Sequence, residues 1–525
     1  MKKITNSIYS FEQLSGNDFL YVDKTEYIWK LIEAAPAMYF MARPRRFGKS
    51  LTVSTLKALF NGRRELFNGL AIDRKKYDWK KYPVIHLDLG NCDAQNALAL
   101  RKYLGGLLRK EAVAHDLPVE IDDDQLASSF AVLITALSKT APVVILVDEY
   151  DKPILNTIQS PDVQQILQVL KGFYATIKTC AGQEHFVFVT GVSKFCHVSL
   201  FSDLNNLRDI TMHADFAGML GYTQQEFEDN FREELDQTST RLKMPRGELL
   251  QKIKNWYDGY RFHANAETVY NPVSLASFFL NGGEFNNYWF STGTPSFLIE
   301  LIRKHHFSFE EVLSKPVSGI AFSAYEVGRL DPLPLLLQTG YLTIRDAFED
   351  FGMTFYKLGF PNFEVRSAFD TYLLNAYTGI SKEALEGISA RLARNVRSGD
   401  VDAFMNDMKV FFASIPYDIQ LPDEKYYQTI FFLLFLMLGV YIEAEARTGN
   451  GRIDAVAACA NWIYIFEFKL DKTAEIALDQ IKSKEYFLKY CHSGKQIILI
   501  GASFDTQKRQ LAEWKQQASA SADQG

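Results

Sequence analysis

The chain has 525 residues, 47% apolar and 23% charged, with 5 cysteines and no C-x-x-C pair. That length suits two or three domains of ordinary globular composition, and it excludes a disordered, collagen-like, disulfide-scaffold or zinc-ribbon chain. The formal charge of −6 conceals a basic block: Lys24 to Lys81 holds 14 Lys/Arg against 5 Asp/Glu, a local +9 that leaves −15 for the remainder.

The first residues, MKKITNSIYSFEQL, lack the apolar run of a secretory signal, and scattered cysteines fit a reducing compartment, so a cytoplasmic location is expected. Up to about Thr211, short apolar runs alternate with helical patterns. Met38–Ala42, Tyr82–Leu89, Pro142–Tyr150 and His185–Gly191 read as buried strands; Ser50–Phe60 and Asp162–Ile177 carry apolar residues at three-to-four spacing and read as crossover helices. This predicts a parallel α/β sheet domain over 1–220. A helical, aromatic-rich middle or lid region is expected over 221–400. Over 401–525 a second α/β domain is expected, with strands at Val440–Ala446, Arg452–Cys459, Trp462–Lys469 and Gln496–Ser503 and a helical pattern at Thr473–Tyr490. The apolar run Ile430–Ile442 has 13 residues, short of the roughly 20 needed to cross a bilayer, so it reads as a buried element and no membrane association is expected. The tail after Trp514 has linker-like composition.

Two constellations carry chemistry. Arg43-Pro44-Arg45-Arg46-Phe47-Gly48-Lys49-Ser50 follows an apolar strand and opens an amphipathic helix, the context of a phosphate-binding loop. Backbone N–H groups of Arg45 to Leu51 would face phosphates, Lys49 would reach the β/γ-phosphates of a nucleotide, and the Ser50 hydroxyl would ligate Mg²⁺. Arg43 stands where the usual pattern has its first glycine. About 100 residues on, an apolar strand ends in Asp148-Glu149, and buried carboxylates are costly unless they pair or bind a metal. Asp148 would hold Mg²⁺ and Glu149 would polarise water; a plain ion-pair cluster of Asp148, Glu149 and Asp151 with Arg45 and Arg46 is the bland alternative. Thr190, ending another strand, is either a sensor of the γ-phosphate or a cap or turn residue.

Nearer the C-terminus, Asp454 precedes Glu467-Phe468-Lys469 across a short turn. Glu467 and Lys469 project to one face of their strand, and Asp454 on the neighbouring strand can join them. Two carboxylates with the Phe468 carbonyl would form a hard oxygen site for Mg²⁺, and Lys469 would position water for phosphodiester hydrolysis. An E-x-K pair on an exposed strand more often makes a cross-strand ion pair. Glu424, Glu443, Glu445 and Gln480 are weaker candidates to add ligating or orienting groups.

Together these segments resemble a bacterial family of AAA-ATPase-like proteins with a C-terminal nuclease domain of the PD-(D/E)XK superfamily. The resemblance rests on YVDKT, RPRRFGKSL, LVDEYDKP, TGVSKF, FSDLNNLRDIT, YDGYRF, YNPVS, GRIDAV and FEFK. It implies a P-loop NTPase fold followed by a restriction-endonuclease-like fold, with ATP and Mg²⁺ as cofactors, DNA as partner, and Lys49, Ser50, Asp148, Glu149, Asp454, Glu467 and Lys469 in the roles above. A non-glycine residue at the position of Arg43 is a habit of that family. The leading expectation is an ATP-controlled, Mg²⁺-dependent nuclease, with a homo-oligomer compatible. The alternative is a nucleotide-operated switch or binding module without significant cleavage; a small-molecule kinase would leave the C-terminal triad unexplained.

Overall fold

Four largely buried apolar runs assemble into one parallel sheet because helices long enough to cross back separate them, and a short exposed strand joins its edge. In order, these are β1 (Ala37–Ala42), α1 (Lys49–Phe60), β2 (Val84–Asp88), α2 (Ala97–Ala114), α3 (Leu126–Ser138), β3 (Val143–Asp148), α4 (Val163–Thr179), β4 (Glu184–Gly191) and the short β5 (Arg208–Asp209). The strand order is β2-β3-β4-β1-β5. All six residues of β3 are buried, which is why PVVILVD shows no alternation. Leu100, Leu104, Phe130, Ile134, Ile166 and Phe173 from the helices pack with Ile85, Ile145 and Val187 of the strands in one core. One strand, β4, lies between β1 and β3, so the loop after β1 and the acidic end of β3 open at the same edge.

The computed structural model describes residues 2–194, 200–201, 206–289, 296–304, 312–313, 315–322, 332–416, 424–438, 441–448, 451–459, 461–491 and 493–519. It divides into two compact units, Met1–Leu298 with Lys315–Val365, and Ile299–Ser314 with Arg366–Gly525. The 221–400 stretch is therefore shared between them. In the first unit, α5 (Pro272–Leu280) packs Leu275 and Phe278 with Phe227, Phe231, Tyr257 and Tyr270 in an aromatic-rich second core. That unit also holds an antiparallel sheet of β6 (Val317–Ser318), β7 (Thr343–Asp350) and β8 (Met353–Gly359), in the order β6-β8-β7, within the stretch expected to be helical. Most of β7 is exposed and its RDAFED run is dense in charge, so it lacks the alternation that announces a strand.

The second unit contains α6 (Lys382–Ser398), α7 (Val401–Ala413), α8 (Glu424–Met437), β9 (Tyr441–Thr448), β10 (Gly451–Cys459), β11 (Trp462–Leu470), α9 (Ala474–Ser483), β12 (Gln496–Asp505) and β13 (Gln510–Ala518). Its sheet runs β13-β12-β11-β10-β9, with β11 and β12 parallel across α9 and the other pairs antiparallel. Ile463 and Ile465 face Leu478 and Ile481 of α9, while Phe466 and Phe468 meet Phe431 and Phe435 from the other side. The apolar run from Ile430 thus becomes a buried helix. Among the described residues no helix is long and apolar enough to cross a membrane. The residues after Trp514 are a correction: they continue β13 as far as Ala518, paired with β12. An edge strand with a mostly exposed polar face has the composition of a linker.

Candidate functional site

At the edge of the first sheet, β1 delivers the chain into the loop and α1 carries it away. Gly48 caps α1 at φ +102°, a conformation that favours glycine, and it supplies no side-chain cap, so the first-turn N–H groups remain available to an anion. Arg45, Arg46, Phe47, Gly48, Lys49, Ser50 and Leu51 all line a cleft of about 500 Å³, within the roughly 300–1,000 Å³ of small-molecule sites. Arg46 has φ +130°. The positive-φ residue of the loop is thus Arg46, three positions after Arg43.

The Lys49 ammonium is buried and donates to the carbonyls of Arg43 at 3.0 Å and Pro44 at 2.9 Å. Burial pushes its pKa down, against the opposing pull of Glu149, Asp148 and Asp151. Asp148, 3% exposed, takes a hydrogen bond from Ser50, while its Oδ1 accepts none. Burial pushes this carboxyl up to about 6. A hydroxyl and a carboxylate side by side, with one buried oxygen still able to accept, are donors that fit Mg²⁺. Glu149 lines the same cleft at φ +53°, a conformation uncommon for a non-glycine residue and frequent at working sites.

Three neighbours on the cleft wall, Asp88, Gly90 and Asn91, escape the sequence reading. Asp88 pairs in register with Asp148 and accepts from Gly90 N at 2.8 Å, and a β-carbon on Gly90 would stand 3.6 Å from the Glu149 carboxyl carbon. The acidic end of LDLG was the available signal. Asp151 is committed elsewhere: it accepts from the Val192 and Ser193 amides and the Ser193 hydroxyl at 2.8–3.2 Å, holding the turn after β4. Thr190 is fully buried and donates to the Met41 carbonyl at 2.9 Å, tying β4 to β1 rather than lining the cleft.

Arg43 turns away from the cleft. Its guanidinium donates to the carbonyls of Ala42 at 3.0 Å, Phe216 at 3.2 Å and Thr211, and stacks 4.2 Å from the Phe262 ring of YDGYRF. The same motif packs Tyr260 and Phe262 edge-on against the buried Phe47 ring. Arg43 is thus a post behind the loop. Arg43→Met is expected to lose about 1–3 kcal/mol of stability, because buried carbonyls lose their donor; chemical denaturation of the variant measures it, and an unchanged stability would contradict the assignment. Part of the basic block is likewise engaged in ion pairs within the chain. Lys24 pairs with Glu226, Arg63 with Glu12 and Glu65, Arg64 with Asp73, and Lys75 with Glu26.

In the second unit, the register Ala455 to Phe466 carried one step further sets Asp454 opposite Glu467. The Phe468 N–H donates to Asp454 Oδ2 at 2.7 Å, so this carboxylate closes the ladder in place of a backbone carbonyl. Glu467 is 2% exposed; its Oε1 accepts from Lys469 Nζ at 2.9 Å and from the amide of Gln480 on α9. The strand and the covering helix thereby bring Glu467, Lys469 and Gln480 together at the end of a core face, and the neighbouring strand sets Asp454 on the Phe468 amide beside them. Asp454, Glu467 and the Phe468 carbonyl form a hard-oxygen donor set that fits Mg²⁺. Gln480, a weaker candidate from sequence, takes a defined place beside Glu467. The side chains of Glu424, Glu443 and Glu445 lie outside the described residues, as do Phe195 and Ser202 to Asn205 of the quoted motifs.

Comparison with known proteins finds a match over each of the two regions. Residues 6–201 match the family described as Predicted AAA-ATPase, and residues 422–514 match the PD-(D/E)XK nuclease superfamily. An "Uncharacterized protein in vnfD 5'region" of Azotobacter chroococcum mcd 1 is 34% identical over 523 residues, covering 97% of this chain and 98% of that protein. The chain belongs to the family of predicted AAA-ATPases that carry a C-terminal PD-(D/E)XK nuclease superfamily domain.

Proposed function

We propose that the chain is an ATP- and Mg²⁺-dependent enzyme in which nucleotide held by the first unit governs phosphodiester cleavage of DNA by the second. The observation that carries this reading is the buried Glu467 held by Lys469 and Gln480, with Asp454 accepting from the Phe468 amide, where a core strand would otherwise continue apolar. Asp454, Glu467 and the Phe468 carbonyl would hold Mg²⁺, which when bound neutralises phosphate charge and acidifies water. Lys469 positions the attacking water beside them, and Gln480 keeps the Glu467 carboxylate turned toward the site. In the first unit, Ser50 and Asp148 would hold the Mg²⁺ of ATP. Lys49 exchanges the Arg43 and Pro44 carbonyls for the β/γ-phosphates, and Glu149 takes a proton from water.

The test is cleavage of supercoiled plasmid by purified protein with Mg²⁺ or Mn²⁺, with and without ATP, beside Asp454→Ala and Lys49→Ala. Cutting should vanish in the Asp454 variant, and its response to ATP should vanish in the Lys49 variant. Undiminished cutting by Asp454→Ala would overturn the nuclease assignment. No cutting under any condition, with ATP still bound, would leave a nucleotide-operated switch.

A further inference from the structure

The loop is also held by residues outside its own sequence, and two of them, Gly340 and Trp289, do not line the cleft. Its Pro44 abuts Gly340, where a β-carbon would come within 2.7 Å of the proline ring, and its Phe47 carbonyl accepts from Gly221 N at 3.4 Å. The carbonyl of Arg45 accepts from the indole N–H of Trp289 at 2.9 Å. Trp289 is 6% exposed and does not line the cleft. Its ring centroid lies 5.3 Å from that of Tyr341 and 6.4 Å from that of Tyr260. Its own backbone N–H donates to Glu364 Oε1 at 2.8 Å. Glu364 is fully buried, and its second oxygen accepts from Ser274 at 2.8 Å, the serine of YNPVS in the first turn of α5. A chain of hydrogen bonds thus runs from the α5 cap through Glu364 and Trp289 to the phosphate-binding loop.

The physical need for such a hold follows from what Lys49 does. In the structure its ammonium bridges the carbonyls of Arg43 and Pro44. When it moves onto phosphate those carbonyls lose their donor, and any carbonyl swinging into the cleft would set a negative dipole against the anion. An indole N–H can only donate, so it keeps its carbonyl partner turned away. We propose that Trp289 is a positioning residue of the nucleotide site: its indole N–H holds the Arg45 carbonyl back from the phosphates, and Glu364 fixes the indole. This rests on the reading that the loop binds a nucleoside triphosphate.

The experiment uses the full chain and compares wild type, Trp289→Phe, Glu364→Gln and Lys49→Ala. It measures Mg-ATP affinity, the separate effects on KM and kcat, and tryptophan emission during ATP titration. Trp289→Phe keeps an aromatic ring against Tyr341 and removes only the donor. It should weaken ATP about tenfold, the scale of one lost hydrogen bond to a buried acceptor, with KM changed more than kcat. The part of the emission change contributed by Trp289 should disappear. Glu364→Gln, which keeps an acceptor for the Trp289 amide, should act in the same direction with a smaller, roughly threefold effect. Wild-type affinity in Trp289→Phe, with binding lost in Lys49→Ala, overturns this inference alone. Should Trp289→Phe fail to fold, a KM for Glu364→Gln indistinguishable from wild type overturns it. Failure of the wild type to bind ATP overturns the nucleotide reading and this inference together.

Discussion

Glu149→Gln is expected to bind ATP with nearly wild-type affinity and to hydrolyse it roughly 10²–10⁴-fold more slowly, the range lost with a positioned general base. Glutamine keeps the size and the φ +53° backbone of the position, and it removes only the ability to take a proton. Binding should survive because the groups proposed to meet the phosphates, the loop amides and Lys49, lie on other elements. Filter binding and phosphate release on the same preparation separate the two properties. Unchanged turnover would move the base elsewhere, and Asp88, in register with Asp148 on the same wall, would be the next residue to replace.

The reach of the sequence differs between the two sites, and the reason is geometric. A parallel strand buried on both faces writes its apolar run into the chain, so Val143 to Val147 announces both the strand and the anomaly of the acids that end it. The loop is legible for a similar reason, because Gly48-Lys49-Ser50 must stand between a strand and a helix. What surrounds the loop is not legible. Arg43 reads as a defect of the pattern, yet its guanidinium satisfies carbonyls of residues 42, 211 and 216, a job that depends on contacts more than 160 positions apart. Trp289 and Glu364 act over 244 and 75 positions in the same way. In the second unit, alternation along WIYIFEFKL places Glu467 and Lys469 on one face correctly. Gln480 stays ambiguous until α9 is laid across that face. The strands β7 and β13 were hidden because exposed edge strands carry polar residues on most positions, and nothing local distinguishes that pattern from a loop.

Replacement at Glu467 should separate the two chemistries of the chain. Glu467→Gln preserves an amide oxygen for Lys469, so the fold of β11 should survive, and thermal melting of the variant checks this directly. Cleavage should nevertheless fall by well over 10²-fold, because a neutral amide replaces one of two carboxylates in the donor set. Gln480→Ala removes a group that only holds that carboxylate in place, and such losses run about 10–100-fold. The expected order of cleavage rates is therefore wild type, then Gln480→Ala, then Glu467→Gln. ATP hydrolysis should stay near wild type in both variants, since the residues proposed to serve it, Lys49, Ser50, Asp148 and Glu149, belong to the other compact unit. Equal cleavage by Glu467→Gln and wild type would show that the hydrogen bonds from Lys469 and Gln480 serve only to bury a charge. A Gln480→Ala loss as large as that of Glu467→Gln would instead promote the glutamine from a supporting group to one that touches the reacting phosphate or its water.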